Sequence, residues 1–230
     1  MSKENQLKEI HTSGKSYAIY KSINGFDLYT DFSKKITLNN KNVSSFLNKK
    51  RTSKKPKETD LFIGFFGYEL LNNLIGIKVP KQKSMNFPKG IFYKPEKKIS
   101  YSNNLVNYKT DKIRLKKKFK VNINRKSYTK IFDKFKKKIK SGETYQIKIC
   151  TKYKLKSEID PLDFFCRLSK TNLAPEAFMI RDKDYSIVSC TPEKLNTKKG
   201  SLITTKPIAE TEKKNKRMSK IKALSYFRNN

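Results

Sequence analysis

Tryptophan is absent from this 230-residue chain, histidine occurs once and cysteine three times. The cysteines, Cys150, Cys166 and Cys190, form no C-x-x-C pair, and the single histidine is His11. That excludes ordinary zinc sites and argues against a Cys–His nucleophile. Each cysteine sits in an apolar or strand-like context, which predicts buried thiols. His11, in a polar N-terminal stretch, is expected at the surface. Eight glycines and eight prolines exclude a collagen-like chain, and three cysteines exclude a disulfide scaffold. No apolar run approaches the roughly 20 residues that cross a bilayer. The opening MSKENQLKEI lacks the apolar stretch of a secretion signal. These absences predict a soluble, cytoplasmic globular chain. Its 36% hydrophobic content, with 15 Phe and 12 Tyr, is enough to build a core.

Acidic residues are also scarce: 54 Lys plus Arg face 20 Asp plus Glu, for a formal charge of +34. Such an excess suggests a polyanion partner. The excess, however, consists of 47 Lys and 7 Arg. Arginine is the residue that forks onto phosphates and guanine edges, whereas lysine is a mobile point charge. Asn is abundant (19) and Ala rare (5), so AT-rich coding explains the pattern without a nucleic acid. The clusters at 49–57, 116–120 and 136–140 then read as solvated faces and loops. No zinc-finger spacing or RNA-recognition signature accompanies them.

Along the chain, Asn24-Gly25 signals a turn before a strand at Phe26–Tyr29, and Val43, Phe46 and Leu47 have the spacing of a short helix. After a charged loop at 49–60, Leu61–Phe66 reads as a buried strand turning at Gly67 into a helix with Leu70, Leu71 and Leu74. Residues 78–90 read as a loop, followed by an antiparallel pair formed by 91–102 and 105–109. Tyr128, Ile131, Phe132, Phe135 and Ile139 mark an amphipathic helix, which Gly142 ends in a left-handed conformation. Residues 143–155 alternate, with Tyr145, Ile147, Ile149 and Tyr153 on one face, and predict a strand. Asp160-Pro161 starts a helix through Leu162, Phe165 and Cys166. Further strands are expected at 185–189 and 202–205, and the basic tail 210–230 is expected to fray.

Six strings occur in a fixed order: GFFGYEL (64–70), SGETYQIKI (141–149), DPLDFFCRL (160–168), NLAPEAFM (172–179), SCTPEKL (189–195) and TKPIAET (205–211). Together they resemble the chorismate-binding family: component I of anthranilate synthase and of aminodeoxychorismate (para-aminobenzoate) synthase. Any one string is weak, and their order over 64–211 carries the resemblance.

The resemblance implies an α+β (α/β) fold of two stacked antiparallel sheets flanked by helices, of which this chain is part. It divides the chain into an N-terminal region (1–125), the start of the chorismate-binding domain (126–212) and a divergent basic tail (213–230). It implies chorismate as substrate, ammonia from a glutamine amidotransferase subunit, and Mg²⁺. Thr211 is carried over as a substrate contact, and Pro175, Glu176 and Ala177 as the loop bordering a regulatory tryptophan pocket. The family's catalytic histidine and Mg²⁺-binding glutamates follow the last string, so no catalytic or metal-ligating residue is assigned here. Glu210 stands where the family has glycine and Glu212 where it has arginine, which puts negative charge beside a dianion. The expectation is a truncated copy, inactive alone. Tyr145-Gln146, SCTPEKL and GFFGYEL lean towards the para-aminobenzoate branch, whereas Ala209 is the anthranilate-type residue. A non-catalytic, partner-docking protein and a basic nucleic-acid binder are the alternatives from other classes.

Overall fold

The computed structural model describes residues 3–22, 24–48, 57–68, 70, 74–77, 87–102, 118–155, 157–208, 219, 221 and 224–225. In chain order the elements are α1 (Lys3–Thr12), β1 (Tyr17–Ser22), β2 (Gly25–Thr37), α2 (Val43–Leu47), β3 (Ile63–Phe66), β4 (Gly90–Ser102), β5 (Lys120–Val121) and α3 (Arg125–Lys140). They continue with β6 (Tyr153–Lys154), α4 (Pro161–Thr171), β7 (Glu176–Arg181), β8 (Ser186–Thr191), β9 (Lys194–Lys199) and β10 (Leu202–Lys206). Six strands make one antiparallel sheet in the order β3-β4-β2-β1-β7-β8. The pairs β9–β10 and β5–β6 are separate two-stranded sheets. The large sheet therefore draws strands from both sides of residue 125. Among the described residues, no helix is long and apolar enough to cross a membrane.

Alternation in the strands decides what each sheet face buries. Tyr17, Ile19, Leu28 and Met179 point to one face, where Leu7 of α1 and Leu162, Phe165 and Cys166 of α4 cover them. Burying Leu162 or Phe165 contributes about 1.5–3 kcal/mol each. Ala18, Tyr29 and Ile180 point to the opposite face and pack with Ile91 and Tyr93. The register of β2 on β4 shifts between Phe32 and Lys34, next to Asp31 at φ +54°. Phe32 then stacks on Tyr93 at 4.8 Å between ring centres.

Several expectations hold. The strand after Asn24-Gly25 is β2, and the short helix is α2. α4 starts where Asp160 accepts the Asp163 amide at 2.8 Å, with Pro161 in its first turn. α3 is capped by Asn124, which accepts the Ser127 amide at 2.8 Å, and Gly142 follows at φ +73°. The strand expected over 61–66 is shorter and only half-buried, running from Ile63 to Phe66. Leu70 is fully buried behind it, while Leu71 lies outside the described residues, as do 105–109.

Three expectations fail. Residues 143–152 do not form a strand; only Tyr153–Lys154 pairs, with Lys120–Val121. Alternation becomes a strand only beside a ladder partner, and among the described residues no strand pairs with 143–151, while Lys152 is bonded to Asn122 at the end of the β5–β6 pair. Tyr145 is consequently 92% exposed. The cysteines also divide: Cys166 is buried, with its thiol pushed up to about 12 by burial, but Cys190 is half-buried and Cys150 exposed.

His11 is the third, since it is buried rather than exposed. It sits in the last turn of α1, with Nδ1 2.8 Å from the Tyr17 hydroxyl and Nε2 2.6 Å from Asp160 Oδ2. The other oxygen of Asp160 caps α4, so one carboxylate ties both helices to β1. Burial raises the pKa of Asp160, but the Asp163 amide and His11 outweigh it and leave it lowered. This clamp therefore stabilises the fold above the ordinary carboxylate range and is lost as pH falls through the lowered value. Asp160 is 41% exposed, so solvent screening keeps the contribution modest. His11→Ala is expected to destabilise the fold by about 1–2 kcal/mol in urea denaturation at pH 7, and by less at pH 3.

Candidate functional site

The sheet face turned away from α1 and α4 carries a cleft of about 740 Å³, in the size range of small-molecule sites. Its floor follows from strand register. Tyr20 lies opposite Asp27, Asp27 opposite Ser100, and Tyr29 opposite Lys98, so their side chains share this face. Pro175 and Glu176 form one rim where the chain enters β7, and Lys194 of β9 closes another.

Both charge signs line the cleft, and each charge is held. Glu176 accepts a hydrogen bond from the Tyr20 hydroxyl and pairs with Lys194 Nζ at 2.6 Å. Asp27 accepts from Ser100 Oγ at 2.7 Å and lies 3.3 Å from Lys98 Nζ, which also reaches Glu58 at 3.2 Å. Lys21 Nζ donates to the Ala174 carbonyl at 2.6 Å. Burial, reinforced by Glu176, raises the Tyr20 pKa, and burial with Asp27 nearby raises that of Tyr29. Burial alone pushes Tyr101 up to about 12. Burial works to lower the Lys98 pKa, but its bonds to Glu58 and Asp27 prevail and raise it. The cleft thus presents neutral phenols, charged ammonium groups and carboxylates together.

Of the residues singled out from the sequence, Pro175 and Glu176 line this cleft. Ala177 does not: it is 2% exposed and packs under the helices on the other sheet face. One residue's step along β7 reverses the side chain, so the three-residue loop is split between cleft and core. Thr211 lies outside the described residues, together with Ala209, Glu210 and Glu212. Tyr20, Lys21, Asp27, Lys98 and Lys194 went unrecognised in the sequence. The only signal available was the alternation of β1, which puts Ala18, Tyr20 and Ser22 on one face. Among the described residues, no group of three or more His, Cys, Asp or Glu is arranged to hold a metal ion.

Five of the six strings fall on or beside regular elements, while SGETYQIKI (141–149) follows α3 without forming a helix or strand. GFFGYEL runs through β3, DPLDFFCRL is α4 with its cap, NLAPEAFM leads into β7, SCTPEKL joins β8 to β9, and TKPIAET begins in β10. The family model for chorismate binding enzymes matches residues 11–225. The chain belongs to the chorismate-binding enzyme family. Anthranilate synthase component 1 of Mycolicibacterium smegmatis is 36% identical over 90 residues, 36% of this chain and 17% of that protein. Aminodeoxychorismate synthase component 1 of Bacillus subtilis is 28% identical over 98 residues, 43% of this chain and 21% of its own length. Anthranilate synthase component 1 of Archaeoglobus fulgidus is 25% identical over 168 residues, 67% of this chain and 40% of that relative. The chain thus spans well under half the length of these family members.

Proposed function

We propose that the chain serves chorismate amination, as the component I-like part of an aminodeoxychorismate synthase, with ammonia supplied by a glutamine amidotransferase subunit. The family match over residues 11–225 carries this reading. Tyr145-Gln146, SCTPEKL and GFFGYEL favour the para-aminobenzoate branch. The anthranilate branch is the second reading, supported by Ala209 and by the names of the Mycolicibacterium and Archaeoglobus relatives. In this reading, residues 1–125 and 126–212 together form one side of a two-sheet sandwich, with Thr211 at the substrate. The Pro175–Glu176 cleft is a regulatory pocket for tryptophan. Mg²⁺ belongs to the family's chemistry, but the described residues do not offer it a site, and no step through the ion is assigned to them.

The chain alone is expected to be inactive. Its one histidine is tied between Tyr17 and Asp160, so no imidazole is left to move a proton at the substrate. Chorismate, Mg²⁺ and ammonium, followed by fluorescence of the aromatic amine, should give no product with this chain. Detectable turnover would show that its chemistry needs no free imidazole. Chorismate affinity tests the substrate assignment separately. The resemblance implies a carboxylate beside a dianion at position 210, so Glu210→Gly is expected to tighten calorimetric chorismate binding about tenfold. Equal affinity in the two proteins would count against chorismate binding at this segment.

A further inference from the structure

A second cavity, of about 560 Å³, lies between the start of α4 and the turn from β7 to β8. Ile159, Pro161, Phe164 and Val188 give it apolar walls, and Arg181, at the end of β7, lines it from the sheet. Alternation along β7 puts residue 181 on the side of Ala177 and Met179, the face that α4 covers. Register sets it opposite Tyr17 on β1 and Ser186 on β8. Its Nε is buried, and among the described residues no group accepts its hydrogen. The carboxylates on the neighbouring segments are committed elsewhere. Asp160 holds His11 and the α4 cap, Asp163 holds Arg167 at 2.7 Å, and Asp182 holds Lys35, Tyr93 and Ser16. A buried guanidinium donor without an acceptor is costly, and in a native fold it calls for a partner from outside the chain.

We propose that this cavity binds a small monocarboxylate with a flat apolar body, its carboxylate held by Arg181. The guanidinium fork matches a planar carboxylate, and a carboxylate oxygen is the acceptor that the buried Nε lacks. The walls select the rest of the ligand. Phe164 is 39% exposed, and together with Ile159, Pro161 and Val188 it offers apolar surface for a ring to cover. A water molecule would satisfy Nε but leave that surface wet. Lys183 adds a second cation, but Asp182 and Asp184 line the same cavity. Two carboxylates repel a dianion more than a monoanion, which favours a monocarboxylate over phosphate. This site is separate from the Glu176 cleft, because positions 176 and 181 leave β7 on opposite faces. Its occupancy depends neither on chorismate chemistry nor on what fills that cleft.

Benzoate is the probe, titrated calorimetrically into the full chain at about 0.15 M salt, with benzamide and inorganic phosphate beside it. Benzoate is expected to bind saturably, and benzamide, which lacks the charge, about tenfold more weakly. Arg181→Met should weaken benzoate about tenfold yet melt with the natural chain, since no partner among the described residues is lost. Benzoate should raise the thermal midpoint of the natural chain and leave that of Arg181→Met unchanged. Phe164→Ala, on the exposed side of α4, should weaken benzoate about threefold, and it decides the matter if Arg181→Met fails to fold. Diffuse attraction to a chain of charge +34 would survive the loss of one cation in 54, so it requires equal binding by Arg181→Met. That equality overturns the proposal, as does benzamide binding as well as benzoate, or no saturable binding of benzoate. Phosphate binding more tightly than benzoate would overturn the ligand class.

Discussion

Gly64→Ala is expected to detach β3 from the sheet and lower the thermal midpoint by about 10 °C, equivalent to about 4 kcal/mol. A Cβ at Gly64 would stand 1.9 Å from the Ile91 carbonyl oxygen and 2.7 Å from Phe92 Cα. Both are backbone atoms of β4, held by pairing to β2 on the far side, so neither can withdraw as a side-chain end would. Gly142→Ala is the matched control. A Cβ there meets nothing within 4 Å, and only the φ of +73° opposes it, at about 1–2 kcal/mol. Exchange of the 63–66 amides would locate the damage. A Gly64→Ala protein melting with the natural chain would mean that the close approach of β3 to β4 is wrong.

A second large effect is expected at Asp182, just past β7. Its carboxylate is 5% exposed and receives hydrogen bonds from Tyr93, from Ser16 Oγ at 3.0 Å and from Lys35 Nζ at 2.5 Å. Its own loop adds the Lys183 amide at 2.8 Å. Asp182→Ala removes the acceptor and leaves the Tyr93 hydroxyl buried, with only Tyr185 at 2.9 Å as partner. Lys35 is 51% exposed and returns to water, so the loss, mainly that of the buried acceptor, is about 1–3 kcal/mol. Burial raises the pKa of Asp182, but Lys35, Tyr93, Lys183 and Ser16 together overcome this and hold it far below the usual carboxylate range. A depressed native pKa stabilises the fold fully above about pH 4, and the contribution drains away as pH falls through the native value. Urea unfolding between pH 7 and pH 2 should therefore show a steeper acid loss for the natural chain than for Asp182→Asn. Parallel curves would remove Asp182 as an acid-sensitive anchor.

The elements that could be read from the sequence are those whose signals are local. Asp160-Pro161 announces α4 because cap and first turn are adjacent residues. The stripe from Tyr128 to Ile139 announces α3 because a helix closes its own hydrogen bonds. The alternation at 143–152 misled because a strand depends on a neighbour that its own residues do not specify. His11 looked exposed because the carboxylate that covers it is remote: Asp160 lies 149 positions away. The cleft was hidden for the same reason. Tyr20, Asp27, Lys98 and Glu176 come from four strands that register brings to one face, and Lys194 reaches them from the separate β9–β10 hairpin. Glu176 was singled out through family resemblance, whereas its partners Tyr20 and Lys194 were not.

The pairing of β1 with β7 has a consequence for how the chain is made. Ile19 lies opposite Met179, while the other side of β1 is closed by the β2 hairpin almost as soon as it is synthesised. During translation one edge of β1 waits for β7. At the usual 5–20 residues per second that wait lasts on the order of ten to thirty seconds. Through that interval Tyr17 and Ile19 face solvent or a chaperone, and nascent chains on neighbouring ribosomes present the same open edge. Synonymous codon changes that slow elongation between β4 and β7 would lengthen the interval and lower soluble yield, with the finished protein unchanged.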